Sequence, residues 1–400
     1  MGTVALGDVA LSLQDGPFGS NLKSSHYVDH GVRVVRLQNI GVGYFDDRDR
    51  AFVTEEHFAR LRKHECHAGD VLIATLGDPI IRACRQPPWM QIALNKADCL
   101  RLRCDPDRIV PEYLVHFLNS DAMQSQAMGL AHGQTRSRVN LRQVRSVRVP
   151  LPPLAEQRRI ADILDRADAL RAKRRAVIAQ LDSLTQSIFL DMFGDPVSNP
   201  NNWPETLLED IADITSGITK GRDARGMATR EVPYLAVANV QDRRLALDTV
   251  KTIDATEAEI ERYALRFGDL LLTEGGDPDK LGRGALWSEE ITECIHQNHI
   301  FRVRLHSAHI VRPLFLNWLV GSSRGKRYFL RSAKQTTGIA SINKQQLRRF
   351  LVLIPPIALQ DEFAVAVRMG HATGLSMLKS LSQLDALFAS LQHRAFQDQL

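Results

Sequence analysis

A metal-dependent phosphodiesterase usually places an acid two residues before a lysine, so that a carboxylate and an ammonium meet at one phosphate. None of the 11 lysines of this chain has an acid there; Asn, Leu, Arg, Ile, Thr, Pro, Ser or Met stands instead. An amino-methyltransferase needs an Asn/Asp-Pro-Pro-aromatic loop to grip the target amine. Asn199-Pro200-Asn201 lacks the second proline and the aromatic, and falls in a stretch rich in chain breakers. No Gly-x4-Gly-Lys-Ser/Thr phosphate loop occurs. His64-Glu65-Cys66-His67 carries ligand-type side chains, but no second cluster lies at zinc-site spacing, so it reads as a polar turn before Gly69. The reading therefore assigns no catalytic residue and no metal ligand.

The charge points elsewhere. The formal net charge is +5, and 40 of the 51 basic residues are arginine, the rest being the 11 lysines. Arginine's planar fork suits bidentate contact with phosphates and guanine edges. A GC-rich genome raises arginine everywhere, so the bias supports a nucleic-acid partner without proving one. Apolar content of 44% and charged content of 24% fit a folded chain of two or more domains. No apolar run reaches the length of a membrane span, and no basic-then-apolar leader opens the chain. Five cysteines without CxxC spacing argue against a disulfide framework, and a reducing, cytoplasmic setting is expected.

The chain then says one thing twice. Leu151-Pro152-Pro153-Leu154-Ala155-Glu156-Gln157 recurs as Ile354-Pro355-Pro356-Ile357-Ala358-Leu359-Gln360, Pro153 and Pro356 being 203 residues apart. Gly69-Asp70-Val71-Leu72-Ile73 recurs as Gly268-Asp269-Leu270-Leu271-Leu272, and Gly77-Asp78-Pro79 as Gly276-Asp277-Pro278. Pro111-Glu112-Tyr113-Leu114 matches Pro313-Leu314-Phe315-Leu316. Asn140 before Val144, Val147 and Val149 matches Asn343 before Phe350–Leu353, both read as strand entries. Two related domains of about 150 residues are the economical reading. Strands are predicted at Val32–Leu37, Val71–Ala74, Val232–Val237 and Leu270–Thr273, and helices at Glu55–Arg62, Glu112–Leu118, Glu257–Tyr263 and Leu314–Leu319. The fold class expected is α+β.

After each proline pair an apolar stripe steps by four and three: Ile160, Leu164, Ala167 through Ile188, and Phe363, Val367, Gly370 through Leu391. That is the coiled-coil period, and prolines at a helix start lose no hydrogen bond. A helix from Leu154 to Met192 would be about 58 Å long. The two helices are expected to pack antiparallel and hold the domains apart with pseudo-twofold symmetry. Arg171 and Arg174 interrupt one stripe at the repeat level where Gly370 and Gly374 interrupt the other. Either small residues accommodate the arginines, or the helix kinks. The boundaries read as domain 1 over residues 1–152, a spacer helix over 153–194, a linker over 195–204, domain 2 over 205–354 and a second spacer helix over 355–400.

Leu6-Gly7-Asp8-Val9-Ala10, Asp15-Gly16-Pro17-Phe18-Gly19-Ser20-Asn21-Leu22-Lys23, Arg36-Leu37-Gln38-Asn39-Ile40 and the proline-led helix through Met192-Phe193-Gly194 resemble the specificity subunits of type I restriction–modification systems. The second copy departs where Leu359-Gln360 replaces Glu-Gln and Gly221-Arg222-Asp223 replaces Gly-Pro-Phe-Gly. The resemblance implies two target-recognition domains, each reading half of a split DNA sequence, with the helices setting the gap and docking two methyltransferase subunits. Restriction/translocase subunits would join them, and S-adenosylmethionine and ATP would sit on those partners, none in this chain.

Phosphate contacts give affinity and base-edge contacts give sequence. The candidates for DNA contact are polar or basic residues at matched places: Ser20, Lys23, Arg36, Gln38, Asn39, Arg136, Arg138 and Asn140 in the first domain. In the second they are Lys220, Arg222, Asn239, Gln241, Lys334, Gln335 and Asn343. Against this, Asn39 and Asn239 could cap turns, and Arg136 and Arg138 could be merely solvated. The run Arg171–Arg175 is read as a solvated or partner-facing surface. Two other function classes stay open: a self-contained methyltransferase or nuclease, and a protein adaptor that binds no DNA.

Overall fold

The computed structural model describes residues 2–131, 137–222, 226–276, 281–336 and 339–397. It divides into two compact α+β units, Met1–Ala176 with Met377–Leu400, and Val177–Ser376. Arg136, Asp223, Asp277 and Pro278 lie outside the described residues.

The first unit is built on Val71–Ala74, whose four side chains are all buried. Alternate residues point to opposite faces of a strand, and here both faces are covered. Val71 and Ile73 enter a core with Leu13, Leu100, Leu102, Tyr113, Leu114 and Phe117. Leu72 and Ala74 enter a second core with Val35, Cys66, Cys84 and Ala93. That double burial explains an apolar run without alternation. The strand sits in an antiparallel sheet of order Ala10–Gln14, Cys99–Cys104, Val71–Ala74, Arg82–Arg85. Against it lies a second sheet of order Phe52–Val53, Val32–Val35, Ile92–Asn95, Glu65–His67, with the central pair parallel. Thr3–Ala5 pairs with Arg148–Pro150 just before the long helix.

The second unit repeats this order. Leu270–Thr273 lies between Ile300–Leu305 and Gly284–Leu286, with Ala212–Ser216 outside. Arg230–Leu235 pairs parallel with Ile295–His296 and antiparallel with Lys251–Ala255. Glu205–Leu207 pairs with Leu351–Leu353. Leu270 and Leu272 face one core and Leu271 the other, as in the first unit.

Several local expectations are corrected. Val144 lies not on a strand but in the helix Leu141–Ser146, which Asn140 caps by accepting the Gln143 N–H. Asn343 does the same for Lys344–Arg348 through Gln346, and Phe350 precedes the strand Leu351–Leu353. Each is an Asn-x-x-Gln capping box, a helix signal overlooked because of the β-branched residues after it. The helix from Glu55 ends at Arg60 and tightens into a 3-10 turn at Arg62–His64. The strands at Val32 and Arg230 stop at Val35 and Leu235, where Leu37–Asn39 and Val237–Asn239 form 3-10 turns.

The long helices run Leu154–Phe193 and Ile357–Phe396, unbroken at Gly370 and Gly374. Within each unit they meet antiparallel. In the first, the Arg171 guanidinium contacts the Asp385 carboxylate at 2.6 Å and lies 4.2 Å from the Phe388 ring centroid, while Arg174 meets Met377. In the second, Phe189 and Phe193 pack on Phe363, each with ring centroids 5.4 Å apart. Gly370 and Gly374 face Thr185 and Leu181. The arginines therefore do not sit over the glycines: the repeat aligns them, but antiparallel packing reverses which levels meet.

Candidate nucleic-acid interface

The repeated motifs are first of all fasteners. Gln157 is fully buried; its Oε1 accepts the Val110 N–H at 2.8 Å, and its Nε2 donates to the Arg108 and Pro152 carbonyls. Gln360 repeats this with the Arg312 N–H and the Ile310 and Pro355 carbonyls. Each ties the start of a long helix to the loop that leads into Pro111–Leu118 or Pro313–Val320. Glu156 makes no such clasp, so its replacement by Leu359 costs the motif nothing structural. The Gly-Asp pairs have an equally local cause. Gly69 and Gly268 hold φ of +90° and +86°, and each following aspartate receives a bidentate arginine, Arg103 on Asp70 and Arg304 on Asp269.

The second loop alignment shifts as well. Gly16 lies against the backbone of Asn95 and Lys96, and Gly217 against that of His296 and Gln297, so closely that a Cβ would collide in either place. Gly217-Ile218-Thr219-Lys220, and not Gly221-Arg222-Asp223, is thus the counterpart of Gly16-Pro17-Phe18-Gly19.

Of the candidates in the first unit, Ser20, Lys23 and Gln38 are exposed. Arg36 pairs with Asp49 and lies 5.6 Å from the Tyr27 ring centroid; Lys96 lies 5.7 Å from the same ring. Arg138 contacts the Asp98 carboxylate at 2.5 Å and lies 5.5 Å from the Phe18 centroid. Asp15 organises this corner: its Oδ1 accepts the Gly16 N–H at 2.7 Å and the Asp98 N–H at 3.1 Å. Burial pushes the Asp15 carboxyl up to about 6, backbone N–H groups opposing. The corner is thus basic and aromatic, the mixture that holds phosphates and stacks bases. Asn39 does not belong to it. Wholly buried, it accepts the Arg36 N–H and donates to the Asp46 and Asp49 carbonyls. Asn140 serves as a helix cap.

In the second unit Lys220 is exposed, whereas Arg222 is spent on Glu259 through two 2.5 Å bonds, which draw that carboxyl down to about 2. Asn239 is buried and copies Asn39, donating to the Ala246 and Thr249 carbonyls. Gln241 accepts from Arg283 at 2.9 Å and donates to the Ala238 carbonyl. Lys334 and Gln335 lie on Lys334–Thr336, paired with Ile339–Ser341. Asn343 is a cap.

Lys96, Tyr27, Arg244, Arg283 and Lys326 were not among the candidates. The adjacent Arg243-Arg244 shortly after Gln241 was the available signal. His64-Glu65-Cys66-His67 has no common focus: His64 meets the Asp15 carbonyl, His67 meets Glu65, and Cys66 is buried with its thiol pushed up by burial. No group of three metal-ligating side chains is found among the described residues. No helix among them is long and apolar enough to cross a membrane.

Residues 90–180 match the family model for the type I restriction modification DNA specificity domain. The specificity subunit of the type I restriction enzyme StySPI from Salmonella potsdam is 24% identical over 93% of this chain and 83% of its own length. That of EcoKI from Escherichia coli K12 is 23% identical over the same shares. A solved chain described under complex assembly and conformational transition of the type I R-M system shares the fold with a TM-score of 0.62 at 17% identity, covering 100% of this chain and 98% of that one. The S subunit from M. genitalium does so with a TM-score of 0.53 at 14% identity, covering 99% and 96%. With its doubled α+β unit and proline-led helices, the chain is similar in sequence to the specificity subunits of type I restriction–modification systems and shares the fold of solved ones.

Proposed function

We propose that this chain is the sequence-specific DNA-recognition subunit of a type I restriction–modification complex and carries no catalytic centre of its own. Each unit reads one half of a bipartite target. The long helices form an antiparallel spacer that holds the two readers at opposite ends, fixes the gap between half-sites and docks two methyltransferase subunits. Restriction/translocase subunits complete the assembly, with S-adenosylmethionine and ATP on the partners, in the cytoplasm. One observation carries the reading: the Gln157 clasp at the first helix start recurs bond for bond at Gln360. Two identically fastened units suit a partner that offers two similar sites.

The test exchanges residues 1–152 for the corresponding part of another specificity subunit and maps methylated adenines in the host genome. One half of the methylated sequence should change and the other persist. A change in both halves would contradict two independent readers. Absence of salt-sensitive retention of the native complex on duplex DNA would favour the adaptor reading instead.

A further inference from the structure

The two units are alike in backbone and unlike in charge at one equivalent turn. In the first unit the turn after Asn39 reads Gly41-Val42-Gly43-Tyr44, with Ile40 bridged to Phe45. The second unit has Gln241-Asp242-Arg243-Arg244, with Val240 paired to Leu245. The register is secure, because Gly43 donates to the Ala83 carbonyl at 2.9 Å and Arg243 to the Gly284 carbonyl at 2.8 Å. Both residues hold a left-handed φ, +83° and +57°.

In the second unit this turn lines a cleft. The cleft nearest in kind in the first unit is not lined by the turn, and the two clefts share the position of Gln124 and Lys326. That of the first unit, about 740 Å³, is lined by Leu37, Pro79, Ile80, Met128 and other mainly uncharged groups, with Asp78 its one charge. Gln124 lines it while donating to the Ile81 carbonyl. Arg82 beside it has its guanidinium taken up by the Leu37, Ile40 and Leu76 carbonyls. In the second unit the cleft is about 280 Å³ and is lined by Arg244, Arg283 and Lys326 with Gln241 and Asp242. Lys326 stands where Gln124 does, and Arg283 where Arg82 does. Among the described residues none of these three cations has a carboxylate within salt-bridge distance: Arg283 gives one bond to Gln241, and Arg244 and Lys326 are exposed. Next to Arg244 in sequence, Arg243 has Asp242 3.9 Å away and its guanidinium 3.8 Å from the Trp318 ring centroid.

Three cations share this cleft with a single carboxylate, Asp242, which is within salt-bridge distance of none of them, so they repel one another unless an anion joins them. The geometry points to a phosphate site in the second unit alone: Arg244, Arg283 and Lys326 receive a phosphodiester of the DNA strand. Arg283 and Arg244 supply forked N–H donors and Lys326 a point charge. This deepens the recognition reading and rests on it. The half-site under the second unit is then gripped more through its backbone, and the half-site under the first through the Phe18, Tyr27 and Arg138 corner.

The experiment measures binding of target duplex by the complete methyltransferase complex across a graded salt series, for the native chain, the double variant Arg244→Gln/Lys326→Gln, the single variant Arg283→Gln, and Lys251→Gln, an exposed cation outside the cleft. The double variant should flatten the log–log salt slope by about one, close to the 0.9 expected for the one phosphate charge that is no longer neutralised, and weaken all sequences alike. Arg283→Gln should flatten it by up to the same amount. Lys251→Gln should leave it unchanged. A native slope retained in both cleft variants overturns the inference while leaving the recognition reading intact. Equal flattening by Lys251→Gln overturns it as a mere net-charge effect. Displacement of DNA by inorganic phosphate only from the native cleft, with equal slopes throughout, reassigns it to a small anion and also overturns it. A native complex with no salt-dependent binding at all would instead remove the reading on which it stands.

Discussion

Gln157 reaches across 47 residues of chain to accept the Val110 N–H, with none of its side chain exposed to solvent. Val110 is the residue before Pro111, the first residue of its helix, so this N–H has no helical acceptor of its own. Replacing Gln157 with leucine removes the acceptor and strands the Arg108 and Pro152 carbonyls. A buried group left without its partner costs about 1–3 kcal/mol, so Gln157→Leu should lose roughly 2–4 kcal/mol. Hydrogen exchange at Val110 should accelerate, while the amides of the second unit keep their rates. Gln360→Leu should invert that pattern through Arg312. Equal acceleration in both units from one substitution would show that the clasps do not act locally.

A second contrast separates fastening from reading. Asn39 makes three hydrogen bonds inside the turn that ends the strand Val32–Val35, so Asn39→Ala should cost about 2–3 kcal/mol and lower DNA binding only as far as it unfolds the unit. Arg138 is 45% exposed and its partner Asp98 20%, so the ion pair is open to solvent on the arginine side and contributes about 1 kcal/mol. Arg138→Gln should therefore lower the melting temperature less than Asn39→Ala does and weaken DNA binding. Thermal melting beside duplex titration distinguishes them. Full affinity in Arg138→Gln would take that residue off the interface.

Asn39 and its counterpart Asn239 show where sequence reading stops. The repeat, the proline-led helices and the strands Val71–Ala74 and Leu270–Thr273 were legible because they are local patterns: a period, a breaker, an apolar run. The part played by Asn39 was not. A polar residue beside a strand end can face solvent or turn inward, and only the carbonyls of Asp46 and Asp49, fixed by the fold, decide it. The cationic cleft was hidden for a related reason. Arg244, Arg283 and Lys326 are far apart in sequence, and what joins them is tertiary: the Arg243 N–H to Gly284 carbonyl bond seats one hairpin on the strand after Arg283, and Lys326 comes from the helix Ser323–Ser332. The antiparallel sense of the helices likewise decides which levels meet, and the repeat alone cannot give it.

Gly217 offers a test of the revised loop alignment. Its α-carbon lies against the His296 carbonyl, where a methyl group would overlap backbone that neither neighbour can move. Gly217→Ala should force the loop off the parallel strand pair, destabilising the second unit by about 1–3 kcal/mol, as overpacking does. Gly221→Ala, at φ of +76° but with open space around it, should cost about 1 kcal/mol from backbone strain alone. Chemical denaturation followed by tryptophan emission reports mainly this unit, since Trp203, Trp287 and Trp318 belong to it and only Trp89 to the other. A larger loss from Gly221→Ala than from Gly217→Ala would restore the alignment on Gly221.

His296 makes the stability of the second unit depend on pH. It is fully buried; Nδ1 lies 3.1 Å from the Tyr263 carbonyl and Nε2 3.3 Å from the Thr215 carbonyl. Burial penalises the imidazolium and holds the group down at about 4 against an ordinary 6.5, the two carbonyls pulling the other way. The folded state thus keeps the ring neutral where the unfolded chain would already protonate it. The contribution is fully present above pH 6.5 and is lost progressively as pH falls towards 4, below which both states are protonated and no more is lost. At 1.36 kcal/mol per tenfold difference, the loss should reach about 2 kcal/mol by pH 5 and about 3 kcal/mol in all. The first unit has Asn95 at the equivalent place, donating to the Cys99 carbonyl at 2.6 Å, so asparagine is the natural replacement. His296→Asn should lower stability at neutral pH and make it fall less steeply towards acid. Subtracting its stability from that of the native chain at each pH cancels the titration of the carboxylates common to both. The difference should shrink between pH 7 and pH 5. A difference that stays flat across that interval would mean that the buried ring does not titrate with folding.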